Sequence, residues 1–282
     1  MTSGEFKKYA EATLSHTHDR QEIRMLIKCM LEDFAGIGFG KVPADEPLEL
    51  QQIQQLTRAL ERLKSGEPYQ YITGRQLFAG HWLVVGPDVL IPRPETEELF
   101  YLLVQWLNDR GIQPKTIVDH CTGSGCLAVS LKKVFTNAKV IGTDVSKAAL
   151  AIAQSNADLL GAEVQFIEMD ILKDGFAERL PHTVDLIVSN PPYVCPSEAK
   201  TMRPEVLHHE PHLALFVPAN DPLVFYRQIL EAHYHILTDR GLMAFEINPL
   251  FSEDVHRLAS AYYRSDVIDD LSGKKRFLFA YK

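Results

Sequence analysis

No window of the 282-residue sequence approaches the 18 or more consecutive apolar residues of a membrane-spanning helix, so no membrane partner is expected. Its opening, Met1-Thr2-Ser3-Gly4-Glu5-Phe6-Lys7-Lys8, leads into no long apolar stretch, and no secretory signal is expected either. Cysteine is scarce. Cys29, Cys121, Cys126 and Cys195 form no C-x-x-C pair and no dense framework, which fits reduced thiols and a cytoplasmic location. A zinc site from Cys121, Cys126, Cys195 and a histidine would lack paired ligand spacing, so no metal is expected. Positive charge is in deficit, with 29 Lys and Arg against 37 Asp and Glu, a net charge of −8. A protein that holds nucleic acid mainly through phosphates carries the opposite balance, so no direct nucleic-acid partner is expected. Low-complexity and repeat segments are absent too. The apolar fraction of 46% and charged fraction of 23% describe an ordinary globular chain of one or two domains.

Residues 1 to about 65 carry helical periodicity. Phe6, Tyr9, Ala10 and Leu14 share one face, as do Ile23, Leu26, Ile27, Met30, Leu31 and Phe34, and again Ile53, Leu56, Leu60 and Leu63. Asp19 is an expected N-cap, and Gly36, Gly38, Gly40 and Pro43 punctuate the stretch between. This predicts a small helical bundle over 1–65. Residues 66–94 change character: Tyr69, Tyr71, Ile72, Phe78, Trp82, Leu83, Val84 and Val85 are strand-prone, with breaks at Gly74, Gly80 and Gly86-Pro87-Asp88. A linking β-hairpin is expected there.

From about residue 95 strands and helices alternate. Strands are expected at Thr116–Asp119, Val140–Asp144, Val164–Met169, Val184–Ser189 and Leu242–Ile247, then near Asp266–Ile268 and Arg276–Tyr281. Helices are expected at Cys126–Phe135, Ser146–Leu160, Asp221–Leu237 and Ser252–Tyr263. Such alternation predicts an α/β domain over 95–282 with a doubly wound, seven-stranded, mostly parallel sheet. The last two strands are joined by only Leu271-Ser272-Gly273-Lys274-Lys275, too short for a helical crossover, and should pair antiparallel.

The first strand of this domain runs into Asp119-His120-Cys121-Thr122-Gly123-Ser124-Gly125 and a helix. Ligands of doubly wound sheets lie beyond the carboxyl ends of the strands, and glycines there let the backbone approach them. Asp144 ends the next strand, 19 residues after Gly125, where a carboxylate suits ribose hydroxyls. Dinucleotide and S-adenosylmethionine sites share this layout, and the turn admits either. Asp170 ends the third strand, either as acceptor for an adenine amino group or as a helix N-cap.

The fourth strand runs straight into Asn190-Pro191-Pro192-Tyr193. Asn190 carries an acceptor and a donor on one short arm. The prolines fix the backbone and remove two N–H donors, which leaves the Pro191 carbonyl to face the site. Tyr193 offers a flat ring. Together they make a slot for a planar NH₂ group, whose hydrogens the Asn190 and Pro191 carbonyls accept while the ring stacks on its plane. His208, His209 and His212 cluster near Glu210 without H-E-x-x-H spacing and read as a loop near the substrate mouth. His120 reads as a packing residue.

Asn-Pro-Pro-Tyr after the fourth strand resembles the motif of S-adenosylmethionine-dependent methyltransferases that act on planar nitrogens. Val89-Leu90-Ile91-Pro92-Arg93-Pro94-Glu95-Thr96-Glu97 is similar to the signature of the peptide chain release factor glutamine methyltransferases. Gly66-Glu67-Pro68, Gln70-Tyr71-Ile72, His209-Glu210-Pro211-His212-Leu213-Ala214-Leu215 and Asp270-Leu271-Ser272-Gly273-Lys274 match that family as well. Cys121 departs from the glycine common at its place, and Ile247-Asn248-Pro249 follows Glu246 where glycine is common. The resemblance implies a class I methyltransferase fold and transfer of a methyl group from S-adenosylmethionine to the N5 amide nitrogen of a release-factor glutamine, with S-adenosylhomocysteine as product. It implies cofactor contacts from Asp119, Thr122, Gly123, Gly125, Asp144, Val145, Asp170, Ile171 and Asn190, and substrate contacts from Asn190, Pro191, Pro192 and Tyr193. Class I release factors are the implied partners, held by residues 1–65, and the enzyme is expected to be a monomer. Arg93 and Glu95 either shape the ligand mouth or pair at the domain junction. The alternative activity is a nucleic-acid adenine or guanine amino methyltransferase, with a flipped base in the same slot.

Overall fold

The structure, a computed structural model, describes residues 1–38 and 45–282; the expected breaks at Gly40 and Pro43 lie outside them. The chain divides into two compact units, Met1–Gly74 with Arg203–His209, and Arg75–Met202 with Glu210–Lys282. No helix among the described residues is long and apolar enough to cross a membrane.

In the first unit, α1 (Ser3–Leu14), α2 (Arg20–Ala35) and α3 (Leu50–Lys64) close around Phe6, Leu14, Ile27, Met30, Leu31, Leu56, Leu60 and Leu63. Burying each such side chain stabilises the unit by about 1.5–3 kcal/mol. Asp19 caps α2, accepting from the backbone N–H of Gln21 at 2.7 Å and Glu22 at 2.9 Å. Tyr9, expected on the inward face of α1, is instead exposed. The stretch expected to begin a hairpin opens with a short helix, α4 (Tyr69–Thr73), which ends at Gly74 in the left-handed region. Its aromatics serve packing: Tyr71 is buried and the Tyr69 hydroxyl bonds Asp33 of α2. Strand propensity describes residues that fit a half-buried surface, and here a helix supplies that surface.

The second unit begins with the hairpin β1 (Arg75–Phe78) and β2 (His81–Val84). Helix α5 (Pro94–Asp109) follows, then β3 (Thr116–His120), α6 (Cys126–Val134), β4 (Lys139–Asp144), α7 (Lys147–Leu160), β5 (Val164–Glu168) and β6 (Val184–Ser189). After the short α8 (Pro204–His209) of the first unit come α9 (Val224–Ala232), β7 (Leu237–Glu246), α10 (Ser252–Ser260), β8 (Arg264–Asp269) and β9 (Lys275–Tyr281). The sheet order is β5-β4-β3-β6-β7-β9-β8; β9 runs antiparallel to both neighbours and the remaining pairs are parallel. This is the doubly wound, seven-stranded sheet that the alternation predicts.

Period-two alternation divides the strands between two cores. Ile117, Val140, Leu186, Val188, Leu242 and Phe277 pack with Leu99 and Leu103 of α5 and Leu127 and Val129 of α6. Val118, Ile141, Ile187, Met243, Phe245 and Leu278 pack on the other face with Tyr226, Ile229 and Leu230 of α9 and Val255 of α10. The hairpin is tied to α7 by Asn156, whose amide accepts from Val84 N–H at 2.6 Å and donates to Val84 O at 3.0 Å. The helix expected over Asp221–Leu237 is confined to Val224–Ala232, because the Ile236 carbonyl accepts from Val184 N–H at 2.8 Å and draws the backbone into the sheet.

Beneath the sheet ends lies a buried histidine pair. His233 Nδ1 bonds Ile229 O at 2.8 Å and its Nε2 meets His120 Nε2 at 3.1 Å, while His120 Nδ1 meets the Thr143 hydroxyl at 2.7 Å. The Ile229 carbonyl only accepts, so His233 Nδ1 carries hydrogen, His233 Nε2 accepts from His120 and both rings are neutral. His120 is thus a packing residue, set against Phe176 as well. Burial pushes His233 down to about 4 and His120 down too. The unfolded chain therefore takes up protons below about pH 6.5 while the folded one does not, and stability should fall as pH drops from about 6.5 to 4, by up to about 1.4 kcal/mol per pH unit for each histidine. Denaturant unfolding across this range checks it: His233→Leu should be less stable at pH 7 but show a shallower acid slope.

Candidate active site

Winding reverses between β3 and β6, which opens a crevice at the carboxyl edge of the sheet. The register places His120 opposite Ser189, and the Ser189 hydroxyl donates to His120 O at 2.7 Å. The glycine turn after β3 and the Asn-Pro-Pro-Tyr run after β6 are thereby held side by side. An open-mouthed pocket lies here, about 770 Å³ when the solvent space at its mouth is counted. Its wall takes Cys121 and Gly123 from the turn, Asp144, Val145 and Ser146 beyond β4, Met169, Asp170 and Ile171 beyond β5, and Asn190 and Pro192 beyond β6. Asp88, Val89, Leu90, Ala149, Pro211, Leu213, Ala214 and Phe225 complete it. Its size and largely apolar wall suit a ligand of nucleoside dimensions.

Asp144 accepts from Gly123 N–H at 2.9 Å on one oxygen and from Ser146 N–H at 2.9 Å on the other. These bonds aim the carboxylate and leave it one lone pair on each oxygen. Burial raises its pKa against the backbone N–H groups of Ser146, Gly123 and Val145. Asp170 accepts from Leu172 N–H at 3.0 Å, so one of its oxygens caps the following turn and the other is left for the pocket.

Asp119 is fully buried. Its Oδ2 accepts from the Thr122 hydroxyl at 2.6 Å and Ala128 N–H at 3.1 Å, while Oδ1 has no partner among the described residues. Burial pushes this carboxyl up to about 7. A buried orphan acceptor is costly in a folded chain, and Asp119 lies behind the pocket lining rather than on it. Thr122 faces Asp119 rather than the pocket. Gly125, with φ of +77°, is a packing position: a Cβ there would meet Ala153 Cβ of α7 at 3.0 Å. Cys121 adopts φ of 57° without being glycine, and burial pushes its thiol well up.

Asn190 Nδ2 donates to the Thr96 hydroxyl at 2.9 Å, and its Oδ1 accepts no bond among the described residues. No described donor reaches the Pro191 carbonyl either. Pro191 and Tyr193 stand behind the pocket wall rather than on it, and the Tyr193 hydroxyl donates to Glu246 at 2.8 Å. Glu246 is buried at the end of β7; burial raises its pKa, and Thr96, Tyr193 and Arg276 pull the other way. Thr96 and Glu246 carry no role in the sequence reading, since no spacing rule links positions 96, 190 and 246.

Arg93 pairs with the buried Glu210 at 2.5 Å, and Glu210 also accepts from Ile91 N–H at 3.1 Å. Of the two readings of Arg93 the ion pair is thus observed, within the second unit, where it pins the irregular segment that follows Leu90. Both Glu210 oxygens are thus engaged by Ile91 and Arg93, and among the described residues no cluster of three His, Cys, Asp or Glu side chains is placed to hold a metal.

Residues 7–74 match the family model of the PrmC N-terminal domain, and residues 100–212 match that of the methyltransferase small domain. A release factor glutamine methyltransferase of Bacteroides thetaiotaomicron is 39% identical over 277 residues, covering 96% of this chain and 97% of that one. The enzyme of the same name from Flavobacterium psychrophilum is 41% identical over 252 residues, covering 88% and 87%. That of Bacillus subtilis is 36% identical over 240 residues, covering 83% and 82%. With near full-length identity of this order, and with a nucleoside-sized pocket beside Asn190 at the switch point of the sheet, the chain belongs to the release factor glutamine methyltransferase family.

Proposed function

We propose that the chain transfers a methyl group from S-adenosylmethionine to the N5 amide nitrogen of the glutamine in the Gly-Gly-Gln loop of class I peptide chain release factors. The observation that carries this reading is the open acceptor Asn190 Oδ1 on the pocket wall, backed by the Pro191 carbonyl, which no described backbone donor reaches. A primary amide offers two N–H hydrogens in one plane, and two fixed carbonyls accept both. The names of the relatives supply the protein that carries the amide.

Bound S-adenosylmethionine supplies an activated methyl group on a sulfonium. Asp144 accepts from the ribose hydroxyls with the lone pairs that Gly123 and Ser146 leave open. Asp170, Ile171 and Val145, all on the pocket wall, would hold the adenine. Asp119, through Thr122 and Ala128, would hold the turn of Gly123 and Gly125 against the cofactor.

An amide nitrogen is a poor nucleophile because its lone pair is shared with the carbonyl. The protein's task is therefore orientation, which can contribute up to about 7–11 kcal/mol. Asn190 and Pro191 hold both N–H bonds and aim the nitrogen, and accepting those hydrogens favours the positive charge that develops on it. Pro192 fixes the approach, and Tyr193 backs the slot. Residues 1–65 grip the release factor away from the glutamine, 66–94 link, and 95–282 carry the chemistry. The enzyme acts as a monomer in the cytoplasm, where translation terminates.

Labelled methyl transfer to unmethylated release factor tests the proposal. Label on the wild-type factor, and none on a Gln→Ala variant of its Gly-Gly-Gln loop, is expected; label on RNA or DNA in its place would favour the amino methyltransferase alternative. Asn190→Ala should lower kcat about 100-fold or more, as loss of a preorganised charge-stabilising contact does, with cofactor affinity nearly intact. Asp144→Ala should do the reverse, weakening S-adenosylmethionine about 10- to 100-fold in calorimetry through lost charge-assisted hydrogen bonds.

A further inference from the structure

The orientation of the Asn190 amide is decided outside the pocket. Glu246, 1% exposed at the end of β7, accepts from the Thr96 hydroxyl at 2.6 Å on Oε2 and from the Tyr193 hydroxyl at 2.8 Å on Oε1. Both carboxylate oxygens thus serve as acceptors. The Thr96 hydroxyl has one hydrogen, and Glu246 takes it. Only lone pairs then remain to face Asn190, so the group presented at 2.9 Å must be the NH₂ edge of the amide. The carbonyl edge is left for the pocket. A flipped amide would set Oδ1 against the Thr96 oxygen with no hydrogen between them.

We infer that Glu246 is a positioning residue for methyl transfer. Acting through Thr96 of α5, it fixes which edge of Asn190 faces the target amide, and through Tyr193 it holds the far end of the same loop. The inference rests on the reading of Asn190 as acceptor for that amide. Three elements distant in sequence meet here: the start of α5, the end of β6 and the end of β7. One carboxylate binds Tyr193 directly and reaches Asn190 through Thr96, so loop position and amide polarity are set together. Glu246→Gln breaks that logic with little change of volume. A Gln has one acceptor for two hydroxyl donors, and its own NH₂ can donate to Thr96 and reverse the relay.

The test compares Glu246→Gln, Thr96→Val and Thr96→Ser in the full-length enzyme. Thr96→Val keeps the shape and removes the hydroxyl; Thr96→Ser keeps the hydroxyl. The first two should lower kcat about 100-fold, the scale of a misaimed reacting group, with KM for release factor and cofactor affinity nearly unchanged. Thr96→Ser should recover most of the turnover. A second readout needs no substrate: in ¹H–¹⁵N spectra, an Asn190 side-chain amide hydrogen should exchange slowly in the wild type and in Thr96→Ser, and rapidly in Thr96→Val and Glu246→Gln. Wild-type kcat in Thr96→Val or Glu246→Gln would overturn the inference, as would equal losses in Thr96→Ser and Thr96→Val, or an Asn190 amide indifferent to all three. A wild-type enzyme that leaves release factor unlabelled would instead overturn the functional reading, and the amide spectra would still decide the orientation.

Discussion

The parallel pairing of β3 with β6 is the constraint on which the site depends. Opposite His120 stands Ser189, and one residue beyond each strand the chain must leave the sheet. Both exits fall on the same edge because the strands run the same way. The winding reverses between them, so no crossover helix covers the gap. A shift of one residue would turn every side chain of β6 to the opposite face and carry Asn190 off the pocket wall. Two cores oppose such a shift, since Leu186 and Val188 belong to one and Ile187 to the other. The hydrophobic packing of the sheet is therefore what aims the polar residues beyond it.

Those polar residues are held at some cost to the fold. Asp119, Asp144 and Glu246 are acids that burial pushes upward, and Asp119 keeps one oxygen without a partner. Acceptors fixed in advance need no reorganisation when a ligand donates to them. Nearby elements supply the rigidity: Gly123 and Ser146 aim Asp144, Thr96 and Tyr193 aim Glu246, and Arg93 with Ile91 anchors Glu210 behind the wall at Leu90. The groups best placed to meet a ligand are those whose other atoms are already bound.

Much of this was legible in the sequence. Strands show as short β-rich runs at regular intervals, and unbroken apolar runs such as Leu186-Ile187-Val188 or Leu242-Met243-Ala244 tell that both faces are buried. Asp19 and Ser146 cap their helices as their positions indicate. The differences lie where tertiary contact overrides local preference. Tyr69 and Tyr71 read as strand and form a helical turn, because their rings are used to pack against α2 and the bundle core. The residues after Ala232 read as helix and enter the sheet, because Ile236 is the partner that Val184 requires.

The amino-acid order alone specifies the sheet, its winding and the polar residues after β6, since all three follow from local features: alternation of strands and helices, crossover length and a proline-locked tetrapeptide. It also carried the family resemblance that near full-length identity bears out. Tertiary structure alone decided how those acceptors are aimed. Tyr193 was read as a ring facing the substrate, yet its hydroxyl is bound to Glu246, and the edge that Asn190 presents is set by Thr96. Hydrogen-bond polarity passes through space from carboxylate to hydroxyl to amide, between residues 96, 190 and 246, and no local pattern in the chain records it.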